Sequence, residues 1–133
     1  MPLLGAKPPQ QREDGVMFDK QDQLDKLEGV MLDGETMLAC FDMKGGGTGF
    51  IGLTDKRIVF YDKAFLAKMK AIVSLPYREV VTLAAADEGR FGRGFFGSST
   101  LSLTARDGKN YVFEFRTSEK AHTIHTTILE RIL

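Results

Sequence analysis

Residues 49–60 read Gly49-Phe50-Ile51-Gly52-Leu53-Thr54-Asp55-Lys56-Arg57-Ile58-Val59-Phe60. The segments on either side of Thr54-Asp55-Lys56 are short and apolar. The second, Arg57-Ile58-Val59-Phe60-Tyr61, is rich in β-branched and aromatic types, which is strand composition. Thr54 and Asp55 side chains accept backbone hydrogen bonds in a tight turn. The stretch is therefore two antiparallel strands closed by a turn. The glycines of the first strand mark a bulge or a close backbone approach.

Strand signals continue on both sides. Towards the N-terminus, Lys44-Gly45-Gly46-Gly47 is a turn, and Thr36 to Phe41 is a short apolar strand. Towards the C-terminus, residues 62–71 read as a longer connection. Ile72 to Leu75 is a strand ended by Pro76. After a turn at Tyr77-Arg78-Glu79, Val80 to Ala85 is the next strand, and residues 87–98 form a long loop with four glycines. Two strands then alternate cleanly. Leu101, Leu103 and Ala105 face one way, against Thr100, Ser102 and Thr104. Tyr111, Phe113 and Phe115 face inward beyond Asp107-Gly108, a strong hairpin signal.

The period changes at both ends. Ser118 is a good N-cap, with Glu119 suited to the positive helix terminus. Ala121, Ile124, Ile128 and Ile132 form a helical stripe that Leu129 and Leu133 widen. Leu24, Leu27 and Met31, with Met17 a heptad back, predict an N-terminal helix over 16–33. Asp14 or Asp19 would cap it, and Gly34 would stop it. Residues 1–15 have little apolar content and carry Pro8-Pro9, so they read as a disordered tail. The expected organisation is a tail (1–15), a helix (16–33) and one domain (34–133). Seven strands on short turns predict an antiparallel sheet, and a single amphipathic C-terminal helix must dock on it.

Composition narrows the class. The chain has 133 residues, 43% of them hydrophobic, which suits one domain without a metal or disulfide staple. Lys+Arg and Asp+Glu are both 18, so the chain lacks the basic excess that general nucleic-acid binding needs. Yet the charge is uneven: Asp14, Asp19, Asp22, Asp25 and Glu28 make the N-terminal segment mildly acidic, and lysines gather in 62–70. Cys40 alone forms no internal disulfide and reads as a small core residue. No apolar run is long enough to span a bilayer, and the start lacks a signal-peptide h-region. A soluble, cytoplasmic protein is expected.

Seven antiparallel strands followed by one amphipathic helix resemble the pleckstrin-homology (PH) layout. Locally, Gly34-Glu35 followed by the 49–60 stretch is similar to the strand–turn–strand signature of GRAM and bacterial PH-like domains. Ile72-Val73-Ser74-Leu75-Pro76-Tyr77-Arg78-Glu79-Val80 resembles the family's mid-domain step, and Asp107-Gly108-Lys109 with Tyr111 to Phe115 its last hairpin. The resemblance covers residues 34–133. It implies a mainly β fold with α: a PH-like seven-stranded antiparallel open barrel of two orthogonal sheets, capped by the C-terminal helix, plus the N-terminal helix. It also implies that such domains can assemble as oligomers.

Candidate sites are few. Gly92-Arg93-Gly94-Phe95-Phe96-Gly97 matches G-x-G-x-x-G, but a strand follows it where the dinucleotide fingerprint needs a helix. In the same loop, Phe91, Phe95 and Phe96 are mixed with Arg90 and Arg93, residue types enriched in protein interfaces. They either fold back onto the domain or form a protein contact. A possible lipid contact is Lys63, Phe65, Leu66, Lys68 and Lys70, with Lys44 in the first turn. Each lysine near an anionic surface is worth about 1 kcal/mol. Lys44 is the only basic residue of that first turn, so the basic pattern of phosphoinositide-binding PH domains is missing.

His122 and His125 lack the further ligands of a metal site. No nucleophile motif or carboxylate pair stands out, so no enzyme, cofactor, metal or small-molecule substrate is expected. The expected function is a non-catalytic PH-like binding or scaffold module acting through protein contacts, chiefly self-association into a homo-oligomer. The alternative is a peripheral module for anionic membranes.

Overall fold

The computed structural model describes residues 9–44, 49–66, 69–87, 97–117 and 119–133, with backbone alone at 62–66 and 69–70. The chain divides into two compact units, Pro8–Tyr77 and Arg78–Leu133.

The first unit is a six-stranded sheet in chain order: β1 (Gln10–Gln11), β2 (Met17–Phe18), β3 (Met37–Asp42), β4 (Phe50–Thr54), β5 (Arg57–Leu66) and β6 (Met69–Pro76). Only β2 and β3 pair in parallel; the other neighbours are antiparallel. The 49–60 stretch folds as expected, with Ile51 opposite Phe60, Gly52 opposite Val59 and Leu53 opposite Ile58. Every residue of β4 is buried, so alternation sends side chains into two covered faces. Ile51, Leu53, Ile58 and Phe60 fill one of them. Cys40, Phe50 and Val59 enter a cluster with Val16, Phe18, Leu24, Leu27 and Met37 on the other.

Helix α1 (Gln21–Glu28) lies in that second cluster through Leu24 and Leu27. It is much shorter than the helix predicted over 16–33. Met17, taken as part of the helical stripe, belongs to β2, where it faces Ala39 across β3. Neither Asp14 nor Asp19 caps the helix. Lys20 occupies that position in extended backbone without a side-chain cap, while Asp14 accepts from the Val16 amide and Asp19 from the Asp42 amide. The helix ends at Gly29. Gly34, expected as its stop, instead makes a turn at φ +80° in the linker to β3.

Two other expectations change. Residues 62–66 and 69–71 are not a connection: they extend β5 and β6, with Asp62 opposite Ala71 and Leu66 opposite Met69, while residues 67–68 lie outside the described residues. Lysines interleaved with apolar residues obscured the strand composition there. Within 1–15, Gln10–Gln11 pair with Met17–Phe18 as β1, and Arg12 bridges Asp14 and Glu28. Residues 1–8 of the expected tail lie outside the described residues.

In the second unit, a 3-10 turn (Tyr77–Glu79, shared with the end of the first) leads into an antiparallel sheet of β7 (Val80–Asp87), β8 (Ser99–Ala105) and β9 (Asn110–Phe115). The alternation reads out as predicted: Leu101, Leu103, Phe113 and Phe115 are buried, while Thr100, Ser102 and Thr104 are half-buried. The Asp107-Gly108 turn is closed by Asp107 Oδ1, which accepts from the Lys109 amide at 2.9 Å, with Gly108 at φ +90°. Helix α2 (Lys120–Ile132) packs on this sheet through Ala121, Ile124 and Ile128. Fully burying each isoleucine is worth about 1.5–3 kcal/mol. Ser118, the expected N-cap, lies outside the described residues. The first turn is bonded from β8: buried Ser99 Oγ accepts from the Ala121 amide at 3.1 Å and donates to the Thr117 carbonyl at 2.6 Å. All seven expected strands are present as β3 to β9, with the two short strands added ahead.

Candidate functional site

Of the predicted protein-contact residues, Arg90, Phe91, Arg93, Phe95 and Phe96 fall in 88–96, outside the described residues. What carries them is described. Asp87 is opposite Ser99, the last pair of the β7–β8 hairpin, and Ser99 is fixed by its two bonds to the α2 entry.

The outward face of that hairpin and β9 went unnoticed in the sequence. Its rows are Thr82–Thr104–Asn110, Ala84–Ser102–Val112 and Ala86–Thr100–Glu114. Glu114 is its only charged residue, and Val112 is 57% exposed; Val81, at the β7 bulge, is 52% exposed. Alternation in 99–115 identifies this face as the one opposite the core, but small polar residues in it gave no composition signal.

The predicted lipid-contact residues are partly located. Lys44 is exposed. Lys63, Phe65 and Leu66 are on the backbone of β5 and Lys70 on β6; their side chains and the whole of Lys68 lie outside the described residues. At the base of this hairpin, Tyr61 stacks on Phe50 at 5.0 Å, and Lys26 Nζ sits 5.0 Å over the Tyr61 ring.

The densest polar network is one the sequence reading missed. Glu35 is half-buried with its side chain shielded from solvent, and it takes a two-pronged contact from Arg57, Nε to Oε2 at 2.8 Å and Nη2 to Oε1 at 3.0 Å. The Leu32 amide and the Thr54 hydroxyl also donate to it. Arg57 further donates to Ser74 Oγ and the Val30 carbonyl. These donors, led by Arg57, hold the Glu35 carboxyl at about 2, below its ordinary 4.5. Thr54 and Asp55 accept backbone hydrogen bonds as the turn reading required. Thr54 takes the Lys56 and Arg57 amides, and Asp55 takes the Thr36 amide just ahead of β3. Tyr77 donates its hydroxyl proton to the Thr54 carbonyl at 2.6 Å. Each carboxylate oxygen of Glu35 accepts two hydrogen bonds, so the network braces the linker against the turn.

Chemistry elsewhere is sparse. Burial pushes the Cys40 thiol far up, which keeps it out of nucleophilic use. His122 is exposed and His125 half-buried on α2. Among the described residues no three metal-ligating side chains come together. No described helix is long and apolar enough to cross a membrane.

A family model described as "Bacterial PH domain" matches residues 31–130. The uncharacterized protein YozO of Bacillus subtilis (strain 168) is 32% identical over 66 residues, which is 50% of this chain and 55% of that protein. The chain thus spans about half the length of this curated relative. Two crystal structures share the fold. A pleckstrin homology domain from Shewanella amazonensis SB2B aligns with TM-score 0.60 at 22% identity, over 84% of this chain and 86% of that one. A DUF1696 family protein with a pleckstrin-homology domain from Shewanella loihica PV-4 aligns with TM-score 0.60 at 21% identity, over 86% and 94%.

Proposed function

The chain belongs to the bacterial PH domain family, and from that premise we propose that it works by binding a second copy of itself in the cytoplasm. It is a non-catalytic PH-like module of the protein-interaction class. The observation that carries the self-association reading is the mounting of the 88–96 segment. Three phenylalanines and two arginines lie between Asp87 and Ser99, the last β7–β8 pair, of which Ser99 is bonded to the first turn of α2. Functional loops act from such rigid supports, and aromatics with arginine are typical interface anchors. Light scattering across a concentration series tests it. Assembly at high micromolar concentration is expected, and a clean monomer there contradicts it.

One observation favours a second reading. Lys63, Phe65, Leu66 and Lys70 are carried on the paired strands β5 and β6, and not on a loose connection. With Lys68, three lysines near an anionic surface supply roughly 3 kcal/mol, below the roughly 4 kcal/mol of millimolar binding. Insertion of Phe65 and Leu66 would have to supply the rest. Sedimentation with anionic vesicles at low salt decides it, because attraction is strongest there. Failure to pellet ends this reading.

A further inference from the structure

The first unit contains a seat and a strap that fills it. The strap is residues 16–28: β2, then α1. The seat is the β3–β4–β5 face that receives it. Leu27 lies directly over Gly52, where any Cβ would collide with the Leu27 side chain. Gln23 Nε2 donates to Asp42 Oδ1 at 2.8 Å, and Lys20 Nζ is 3.6 Å from Asp42 Oδ2. The Asp19 amide donates to the Cys40 carbonyl at 3.1 Å.

Three observations separate the strap from the domain it covers. It lies ahead of the family match, which begins at residue 31. The linker after it is also fastened to the domain, since Arg57 holds the Val30 carbonyl, Glu35 holds the Leu32 amide and Asp55 holds the Thr36 amide. Gly29, the helix C-cap, is the residue between the strap and this fastened linker. Finally, the closed state is not fully satisfied. Gln23 is 92% buried, yet its Oε1 has no hydrogen-bond partner among the described residues, and α1 has no side-chain N-cap. An eight-residue helix of this kind is not stable alone in water and needs a seat to be ordered. An identical seat on a second copy offers the same contacts, and a short constrained hinge favours such exchange.

We propose that the strap of one copy occupies the β3–β4–β5 seat of another, so that assembly proceeds by exchange of residues 16–28. This inference rests on the self-association reading and adds a second contact to it. The unmodified chain tests it. Natural-isotope and nitrogen-15-labelled chains are unfolded together, refolded and concentrated. The Lys20–Asp42 ion pair is then joined by a zero-length carbodiimide cross-link and read by mass spectrometry. In the fraction that light scattering shows to be assembled, mixed-isotope Lys20–Asp42 pairs are expected at about half of the total, the random-pairing value. Same-isotope pairs alone in that fraction overturn the exchange and leave self-association standing. A chain that never assembles overturns both.

A second arm uses Phe18→Cys. Position 18 is the register partner of native Cys40 on β3. Neighbouring strands are about 4.8 Å apart, within the roughly 4.4–6.8 Å that a disulfide spans. Non-reducing gels of the oxidised assembled fraction should show linked dimers; only intrachain bonds there contradict the exchange.

Discussion

The two units solve the same problem differently. In Pro8–Tyr77 the central sheet is covered on both faces, one of them by a strap that arrives from the N-terminal side. In Arg78–Leu133 one sheet face is sealed by α2, while the other presents Thr, Ser, Ala and Val to the surroundings. The first unit needs internal polar bracing where its linker and turn meet, and Glu35–Arg57 supplies it. The second is held by apolar stripe against apolar stripe, with Ser99 as its main buried polar fastening. A double-covered sheet concentrates stability in a few polar and glycine positions; a single-covered sheet spreads it over a row of interchangeable side chains.

That contrast breaks most visibly at Arg57. Arg57→Ala leaves Glu35 buried without its cation and should cost about 3–5 kcal/mol in a urea melt. Arg106→Ala, which removes an exposed bond to the Arg78 carbonyl in the second unit, should cost less than about 0.5 kcal/mol. Equal losses would erase the distinction.

Next come the packing positions. Leu27→Ala should cost about 2–4 kcal/mol by opening a cavity beneath the strap. Gly52→Ala should cost about 1–3 kcal/mol by the opposite route, overpacking against Leu27. If both are neutral in thermal unfolding, the strap is not seated as described. In the second unit, Ser99→Ala should cost about 1–2 kcal/mol by freeing the Ala121 amide and the Thr117 carbonyl.

Acid sharpens the comparison further. The Glu35 carboxyl is depressed in the folded chain, so its contribution is fully present above its unfolded value of about 4.5. It drains away as pH falls towards about 2. Denaturant melts from pH 6 to 2 should therefore show a loss that Glu35→Gln flattens. A variant with an unchanged slope would remove Glu35 from the account. The smallest effect is expected at the open face, where Val112→Thr should change stability by less than about 0.5 kcal/mol.

Strand-rich stretches were legible because alternation and turn chemistry are local. Thr54-Asp55, Asp107-Gly108 and the 99–115 alternation each announce themselves within a few residues. The N-terminal helix was read too long because Met17 sits at helical spacing from Leu24. Its backbone, however, pairs with β3, and a long-range pairing outweighs a short-range period. The β5–β6 extension was hidden for a related reason, since lysine-rich composition masks a strand whose support is its partner. Glu35–Arg57 was illegible because it joins positions 22 residues apart, and nothing in a lone glutamate before a strand names its partner. The candidate contact residues Arg90 to Phe96 were picked on composition alone, and they lie outside the described residues.

Sedimentation equilibrium of the wild-type chain beside Phe95→Ser/Phe96→Ser tests the central claim most directly. The account predicts a concentration-dependent oligomer for the wild type and a folded monomer for the double variant. A wild-type monomer at high micromolar concentration, or a double variant that assembles as the wild type does, would contradict it.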